Sequence, residues 1–131
     1  MPSSKKRLGD AELEIMQVIW RTGVPMTAGS IQEKLRGRRD WPLSTVMTAL
    51  ARLADKGFVA CDRTTRTNLY CALISEAAYK QSESRSFLKK LYDNSLQNFV
   101  ATLYDARAID DQDLQALKDL ITELERKRYD T

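Results

Sequence analysis

The 131-residue chain contains no histidine and only two cysteines. The absence of histidine excludes the most frequent general base, the most frequent metal ligand and every Ser-His or Cys-His pairing for nucleophilic catalysis. Two cysteines do not complete a zinc site, which takes four Cys, His or carboxylate ligands. We therefore expect a protein that is not an enzyme and that uses no metal or other cofactor.

Long apolar runs are missing as well. The longest stretch without a charged residue has 11 residues, whereas a membrane-spanning helix needs about 18. The first residues also lack the basic segment followed by an apolar segment that marks a secretory leader. We expect a soluble cytoplasmic protein that does not contact a membrane.

The net charge of +3 is small but unevenly distributed. Residues 1–74 carry 12 basic and 7 acidic side chains, and residues 75–131 carry 9 basic and 11 acidic ones. The resulting charges of +5 and −2 favour a basic module joined to a neutral or acidic one. Ordinary scatter among solvated charges is the alternative explanation.

Apolar residues at helical spacing predict three helices in the first half of the chain. The first begins near Asp10 and is stopped by the Thr-Gly-Val-Pro segment at residues 22–25. Thr27 is a typical N-cap for a short second helix. The third helix covers about residues 44–56, and Gly57 supplies the left-handed conformation that commonly ends a helix.

Two short runs of β-forming residues follow, at positions 58–62 and 68–73, with a polar turn between them. They predict a hairpin. Three helices and a hairpin in this order predict a winged helix-turn-helix domain over residues 8–74, preceded by a flexible basic arm at residues 1–7. Residues 75–131 predict further amphipathic helices, so the expected fold class is mainly α with one small β hairpin.

The third helix has two chemically different sides. Val46, Leu50 and Leu53 cluster on one side, so we expect that side to face the core. The other side and its flanks carry hydroxyl residues, a methionine and an arginine, which could approach base edges and phosphates in a DNA major groove. These candidate DNA-binding residues are Ser44, Thr45, Met47, Thr48 and Arg52.

Arginines flank this helix in the sequence. Arg63 and Arg66 lie at the predicted hairpin tip, from which a wing can reach phosphates or the minor groove. Arg36, Arg38 and Arg39 precede the third helix and could contact the DNA backbone. The less specific interpretation is that these polar side chains are simply solvated. A winged helix can also be an adaptor that binds protein and no nucleic acid, but the acidic or apolar outer face expected of one is absent.

Amphipathic helical segments follow the hairpin. In isolation they would expose much apolar surface, so we expect two chains to pair about a twofold axis. Such a homodimer presents two recognition helices about one DNA turn, or a multiple of it, apart. The alternative is a helical subdomain packed on the winged helix of the same chain. The predicted interface residues are Phe87, Leu91, Leu96, Phe99, Val100, Leu103, Leu114, Leu117, Ile121 and Leu124.

Cys61 and Cys71 lie at equal distances from Arg66 in the sequence. A turn symmetric about Arg66 would bring them face to face across the hairpin. In a reducing cytoplasm both should remain thiols that pack as small apolar side chains. A redox switch is the alternative.

Three blocks of sequence, LGDAELEIMQVIW, WPLSTVMTALARLADKGFV and FLKKLYDNSLQNFV, resemble the penicillinase repressor family of bacterial transcriptional regulators. The resemblance extends from Leu8 to about Leu124, and it is fairly specific because the order and spacing of all three blocks agree. It implies a winged-helix domain, a helical dimerisation domain and repression at a palindromic operator in double-stranded DNA.

The resemblance also implies roles for individual residues. The positions that match the family's recognition helix are those of Ser44, Thr45, Met47, Thr48 and Arg52. Thr27 matches the start of the second helix, which touches the phosphate backbone in this family. The position of Met47 is basic in the staphylococcal relatives, so we expect a different operator, with apolar contact to a thymine methyl group.

Two regulatory branches of the family bear on this chain. The copper-responsive branch ends in a cysteine cluster, whereas this chain has no cysteine after Cys71, so copper sensing through that motif is not expected. The antibiotic-responsive branch is inactivated by proteolysis at an Asn-Phe bond in the C-terminal domain. Counting from Leu91-Tyr92 places the aligned bond at Thr102-Leu103 and not at Asn98-Phe99. Derepression by a regulatory protease therefore stays open.

Overall fold

The computed structural model describes residues 7–130. The basic arm predicted at residues 1–7 therefore lies outside the described residues except for Arg7. Contacts divide the chain into two compact units, one that ends at Ser84 and one that begins at Arg85. In the described part, no helix is long and apolar enough to cross a membrane.

The N-terminal unit has the element order α1 (Asp10–Thr22), α2 (Ala28–Leu35), α3 (Leu43–Asp55), β1 (Val59–Asp62) and β2 (Leu69–Ala72). The two strands form an antiparallel hairpin. A single bridge between Met26 and Tyr70 adds the segment before α2 to the other edge of β2. The predicted fold class, a winged helix-turn-helix followed by further helices, is confirmed.

Local signals explain where these helices begin and end. Gly23 has φ 75° and its N–H donates to the carbonyl of Ile19 at 3.0 Å, which closes α1. Thr27 caps α2 as predicted, because its hydroxyl oxygen accepts from the N–H of Ser30 at 3.0 Å. Gly57 has φ 84° two residues after the end of α3, a conformation that costs glycine little.

The core of this unit lies where the three helices and the hairpin meet. Val46, Leu50 and Leu53 of α3 are completely buried, which confirms the predicted inner face. Each such aliphatic side chain contributes roughly 1.5–3 kcal/mol through its transfer from water. The remaining buried apolar residues are Ile15, Met16, Val18, Ile19, Met26, Ile31, Leu35, Ala49, Phe58, Val59 and Tyr70.

The first turns of α4 (Glu76–Tyr92) belong to the same unit. The ring of Tyr79 lies 5.9 Å from that of Trp20 and 5.7 Å from that of Phe58, measured between centroids. Its hydroxyl oxygen accepts from the N–H of Leu8 at 3.2 Å. The Trp20 indole N–H donates to the carbonyl of Ile74 at 2.8 Å. The compact unit thus extends past residue 74, where the sequence predicted the domain boundary.

The C-terminal unit contains the end of α4, then α5 (Leu96–Asp105) and α6 (Asp111–Tyr129). The predicted interruption between α4 and α5 is confirmed, with Asp93 and Asn94 at φ 53° and 66°. Ser95 caps α5 by accepting from the N–H of Asn98 at 3.1 Å. Asp110 caps α6, as predicted, through a reciprocal pair of hydrogen bonds with Asp113.

The expectation that the two cysteines face each other was wrong. The strand register pairs Cys61 with Tyr70, and Cys71 with Ala60. Neighbouring residues of a strand point to opposite faces of the sheet, so the two thiols lie on opposite faces. The prediction assumed a turn symmetric about Arg66, but the register centres the turn between residues 65 and 66. Because of this half-residue offset, the two cysteines are not paired with each other. Both cysteines are free.

Candidate nucleic-acid interface

Helix α3 presents its outer side to solvent. Its predicted contact residues are Ser44, Thr45, Met47, Thr48 and Arg52, and all five are exposed. Met47 is 48% exposed although it is apolar. The hydroxyl residues, Arg52 and the start of α1 line an open groove of about 260 Å³. Three of these five side chains, those of Ser44, Thr45 and Thr48, are short, so they leave room for another molecule to approach the helix backbone.

Arg52 carries the positive charge of this surface. Within the described residues, no carboxylate forms an ion pair with Arg52, although its charge contributes to lowering the pKa of Glu12 nearby. A guanidinium group with this freedom can form two parallel hydrogen bonds to a phosphate or to a guanine edge. Its position on the last turn of α3 places that capacity at one end of the groove.

Glu12 is a buried carboxylate beside the same groove, and the sequence did not single it out. Its Oε1 accepts from Lys56 Nζ at 2.6 Å and from the Gly9 N–H at 2.8 Å. Burial alone would raise the pKa of Glu12, but these hydrogen bonds and the charges of Lys56 and Arg52 lower it below the ordinary 4.5. Lys56 Nζ also donates to the carbonyl of Arg7 at 3.1 Å. The ion pair therefore ties the end of α3 to the start of α1.

The hairpin tip is held by its own side chains. Asp62 Oδ1 accepts from the N–H and the hydroxyl of Thr64 at 2.9 and 2.6 Å, and these bonds lower the pKa of the Asp62 carboxyl. Arg63 and Arg66 are exposed at the tip, and neither forms an ion pair with a carboxylate of residues 7–130. The tip thus presents two positive charges on an ordered turn.

The connection between α2 and α3 differs from this hairpin tip. Arg36 pairs with Glu33 at 3.1 Å, and Arg38 and Arg39 both pair with Glu14 of α1. The sequence identified the three arginines as candidate backbone contacts but did not identify Glu14. The only signal for it is a carboxylate on the polar side of the first helix. Its partners lie 24 and 25 residues further along the chain, too far for any local pattern to connect them.

Thr27 lies at the surface end of α2 and is half-buried. Its hydroxyl oxygen is engaged as the helix cap, so it orders the first turn of α2. Helix N-termini of this kind attract phosphates through their N–H groups and their dipole. The backbone contact that the family resemblance implies for Thr27 stays a prediction.

In the C-terminal unit, none of the three helices contains a buried residue. Phe87, Tyr92 and Phe99 form an aromatic cluster with ring centroids 5.2–5.8 Å apart. The predicted residues Leu91 and Leu124 are 64% and 54% exposed. Tyr104, Leu120 and Tyr129 are also exposed, and they are not among the interface residues predicted from the sequence.

An apolar groove of about 510 Å³ lies between α5 and α6. It gathers five of the ten predicted interface residues, which are Leu96, Val100, Leu114, Leu117 and Ile121. The groove wall also includes Tyr104, whose hydroxyl donates to Asp111 Oδ1 at 3.0 Å. That hydrogen bond raises the pKa of Tyr104. The groove is therefore an apolar surface bordered at one end by a polar contact.

The Thr102-Leu103 bond lies inside α5. Thr102 is exposed, and its hydroxyl donates to the carbonyl of Asn98 at 2.8 Å, while Leu103 is half-buried. The bond is thus part of a regular helix. In residues 7–130, no group of three or more Cys, Asp or Glu side chains is placed to hold a metal ion.

The α1–α2–α3 arrangement with its hairpin, and the exposed polar side of α3, define the winged helix-turn-helix class of proteins. The family model described as "Penicillinase repressor" matches residues 8–123. The chain belongs to this family, whose members are transcriptional repressors and not enzymes.

Two of three similar relatives match the chain over most of its length, and the third matches about half of it. It is 29% identical to the penicillinase repressor of Bacillus licheniformis over 122 residues, 93% of this chain and 94% of that protein. It is 25% identical to the methicillin resistance regulatory protein MecI of Mammaliicoccus sciuri over 121 residues, 92% of this chain and 98% of that protein. The transcriptional regulator BlaI of Mycobacterium tuberculosis is 42% identical over 64 residues, 49% of this chain and 46% of that protein.

Proposed function

We propose that this protein is a homodimeric transcriptional repressor that binds a palindromic operator in double-stranded DNA through α3 and the hairpin wing. One observation carries the proposal. In a member of a repressor family, α3 buries Val46, Leu50 and Leu53 and turns to solvent a small polar surface whose arginine, Arg52, forms no ion pair with a carboxylate of residues 7–130.

The exposed side chains of α3 suit direct reading of bases. Ser44, Thr45 and Thr48 can donate and accept hydrogen bonds at base edges, and they are short enough to let the helix enter a major groove. Met47 offers an apolar contact to a thymine methyl group. Arg52 offers paired hydrogen bonds to guanine or to a phosphate.

The wing and the start of α2 supply contacts beside the helix. Arg63 and Arg66 would neutralise phosphates or enter the minor groove flanking each half-site. Thr27 would place the first N–H groups of α2 against a phosphate. These contacts position the protein on the duplex, while α3 selects the sequence.

Pairing of two chains through the C-terminal helices follows from their surface. A helical unit whose helices contain no fully buried residue has only a small core of its own in one chain. A second copy that covers the α5–α6 groove would bury Leu117 and its neighbours and supply that core. The resulting twofold axis matches an operator with two half-sites.

We also infer that cleavage at Thr102-Leu103 by a regulatory protease would end repression. The bond separates the α5 residues Leu96 and Val100 from the α6 residues Leu114 and Leu117, which line opposite sides of one groove. A cut between them would disconnect the two walls and weaken the dimer. Since the bond is helical, α5 must unwind locally before a protease can act on it.

The function is tested by titrating the dimer onto a palindromic fragment of the promoter next to its own gene. Arg52→Ala should weaken operator binding by about 1–3 kcal/mol if Arg52 contacts a base. Arg21→Ala, which removes the same charge from an exposed position at the end of α1, is the matched control and should change binding little. Binding that is insensitive to salt, or equal for the two variants, would refute the proposal.

A further inference from the structure

The α2–α3 connection carries positive charge that the structure already neutralises in part. Arg39 Nε lies 2.7 Å from Glu14 Oε2, and Arg38 Nε lies 3.5 Å from Glu14 Oε1. One carboxylate of α1 thus engages two consecutive arginines that precede the proposed recognition helix. Its two oxygens are divided between them.

Glu14 is more covered than the acid of an ordinary surface pair, although the side chains of Arg38 and Arg39 are themselves 53% and 50% exposed. The Glu14 side chain is only 16% exposed, whereas the side chains of Glu33 and Arg36 are 69% and 64% exposed. Water screens an exposed pair to a small net contribution, but it screens a largely covered carboxylate less. Glu14 is therefore a better competitor for a guanidinium group than a solvated acid.

Arg39 is held by a second contact as well. Its guanidinium carbon lies 5.9 Å from the centre of the Trp41 ring, a distance at which the cation and the ring attract each other. The carbonyl of Trp41 accepts from Gln32 Nε2 at 3.0 Å, which anchors this part of the connection to α2. The guanidinium is thus fixed between an aromatic ring and a carboxylate.

We propose that Glu14 limits sequence-independent DNA binding by holding Arg38 and Arg39 away from phosphates. This inference rests on the proposed function. A phosphate that approaches either arginine meets a guanidinium whose charge is already shared with Glu14 through Nε, so the connection contributes less nonspecific affinity than its charge suggests. Recognition then depends more on α3 and the wing, and Glu14 acts as a specificity-determining residue that need not touch DNA.

The test is a salt titration on an unrelated duplex with Glu14→Gln and the control Asp55→Asn. Both variants remove one negative charge from the same unit, but Asp55 is exposed at the end of α3 and forms no ion pair with the described residues. Each arginine that reaches a phosphate should steepen the log–log salt dependence by about 0.9 and raise affinity about fivefold at 0.15 M salt. We expect this gain for Glu14→Gln beyond any change seen with Asp55→Asn.

The double replacement Arg38→Gln and Arg39→Gln completes the design. In the Glu14→Gln background, the double replacement should abolish the gain in affinity for the unrelated duplex. With Glu14 present, it should change the log–log salt slope far less than the loss of two full phosphate contacts would. The double replacement with Glu14 present tests the role of Glu14 even if Glu14→Gln fails to fold. The inference is overturned if Glu14→Gln behaves like Asp55→Asn, or if the double replacement removes two full contacts while Glu14 is present.

The operator titration separates this inference from the proposed function. If the unmodified dimer binds neither operator nor unrelated duplex in a salt-dependent way, the proposed function fails. If it binds its operator and only the Glu14 series shows no effect, the function stands and the role of Glu14 is wrong.

Discussion

The two units of the chain reach their structure by different means. The N-terminal unit buries a continuous apolar core under α1, α2, α3 and the hairpin, whereas the helices of the C-terminal unit bury none of their residues. Their local signals are nonetheless equally good, since each has side-chain N-caps and residues with positive φ at turns. Caps and spacing thus set where helices form, but they do not decide whether one chain can supply a core.

The largest effect should come from the N-terminal core. Phe58→Ala removes a ring that is completely buried and should lower the free energy of unfolding by about 3–5 kcal/mol. Both tryptophans lie in this unit, so fluorescence-monitored denaturation measures it directly. Leu73→Ala, at a position that is 59% exposed, should cost less than about 0.5 kcal/mol. Equal costs would mean that the core is not where the structure places it.

The second prediction concerns the C-terminal unit and tests its α5–α6 groove as the proposed dimer interface. Leu117→Asp puts a charge on its apolar wall and should weaken the dimer about 30-fold or more, because a central interface residue commonly contributes about 2 kcal/mol or more. Sedimentation equilibrium measures this, and tryptophan fluorescence should show an almost unchanged N-terminal unit. Ala116→Asp, on the same helix but outside the groove, is the control. A fully dimeric Leu117→Asp protein would contradict the proposed interface.

A third prediction concerns the ion pair that ties α1 to α3. Because the pKa of Glu12 is lowered in the folded state, its contribution to stability is fully present above the unfolded pKa near 4.5. It is lost as the pH falls through the lower folded pKa. Glu12→Gln should cost about 1.5–3 kcal/mol at neutral pH, and the difference from the unmodified protein should shrink in acid. Denaturant titrations at several pH values measure it, with Glu33→Gln, which removes an exposed carboxylate, as a control for the loss of one negative charge.

The smallest effects should come from two matched helix caps, one in each unit. Thr27→Ala and Ser95→Ala each remove an oxygen that accepts from an N–H three residues later, at 3.0 and 3.1 Å. Each should cost about 1 kcal/mol. Thr27→Ala should act on the unfolding reported by tryptophan, and Ser95→Ala on dimer dissociation. If Thr27→Ala changed dimer dissociation and Ser95→Ala changed the unfolding reported by tryptophan, the proposed separate roles of the two units would be wrong.

Most of the N-terminal fold could be predicted because its signals are local. Thr27 as a cap, Gly57 after α3 and the inner side of α3 depend on residues within one or two turns of each other. The strand register was missed because the length of the turn, and not the spacing of Cys61 and Cys71, determines the pairing.

The contacts that escaped prediction, in the candidate site and in the fold around it, join residues distant in sequence. Glu12 meets Lys56 across 44 residues, and Tyr79 meets Leu8 across 71. No periodicity connects such partners, since they meet only once the helices have packed. The exposed residues of α3 could be predicted because a helix with one buried side must present the other to solvent.

The bridge between Met26 and Tyr70 has a mechanical consequence. Two backbone hydrogen bonds of 2.9 and 2.7 Å join the residue before the α2 cap to the second strand of the wing. The wing and the start of α2 are therefore parts of one stiff frame and cannot swing independently. On DNA, such a frame would set a fixed distance between the phosphates that its two ends contact. A duplex with a different local backbone spacing would have to deform to be bound, and this deformation costs free energy.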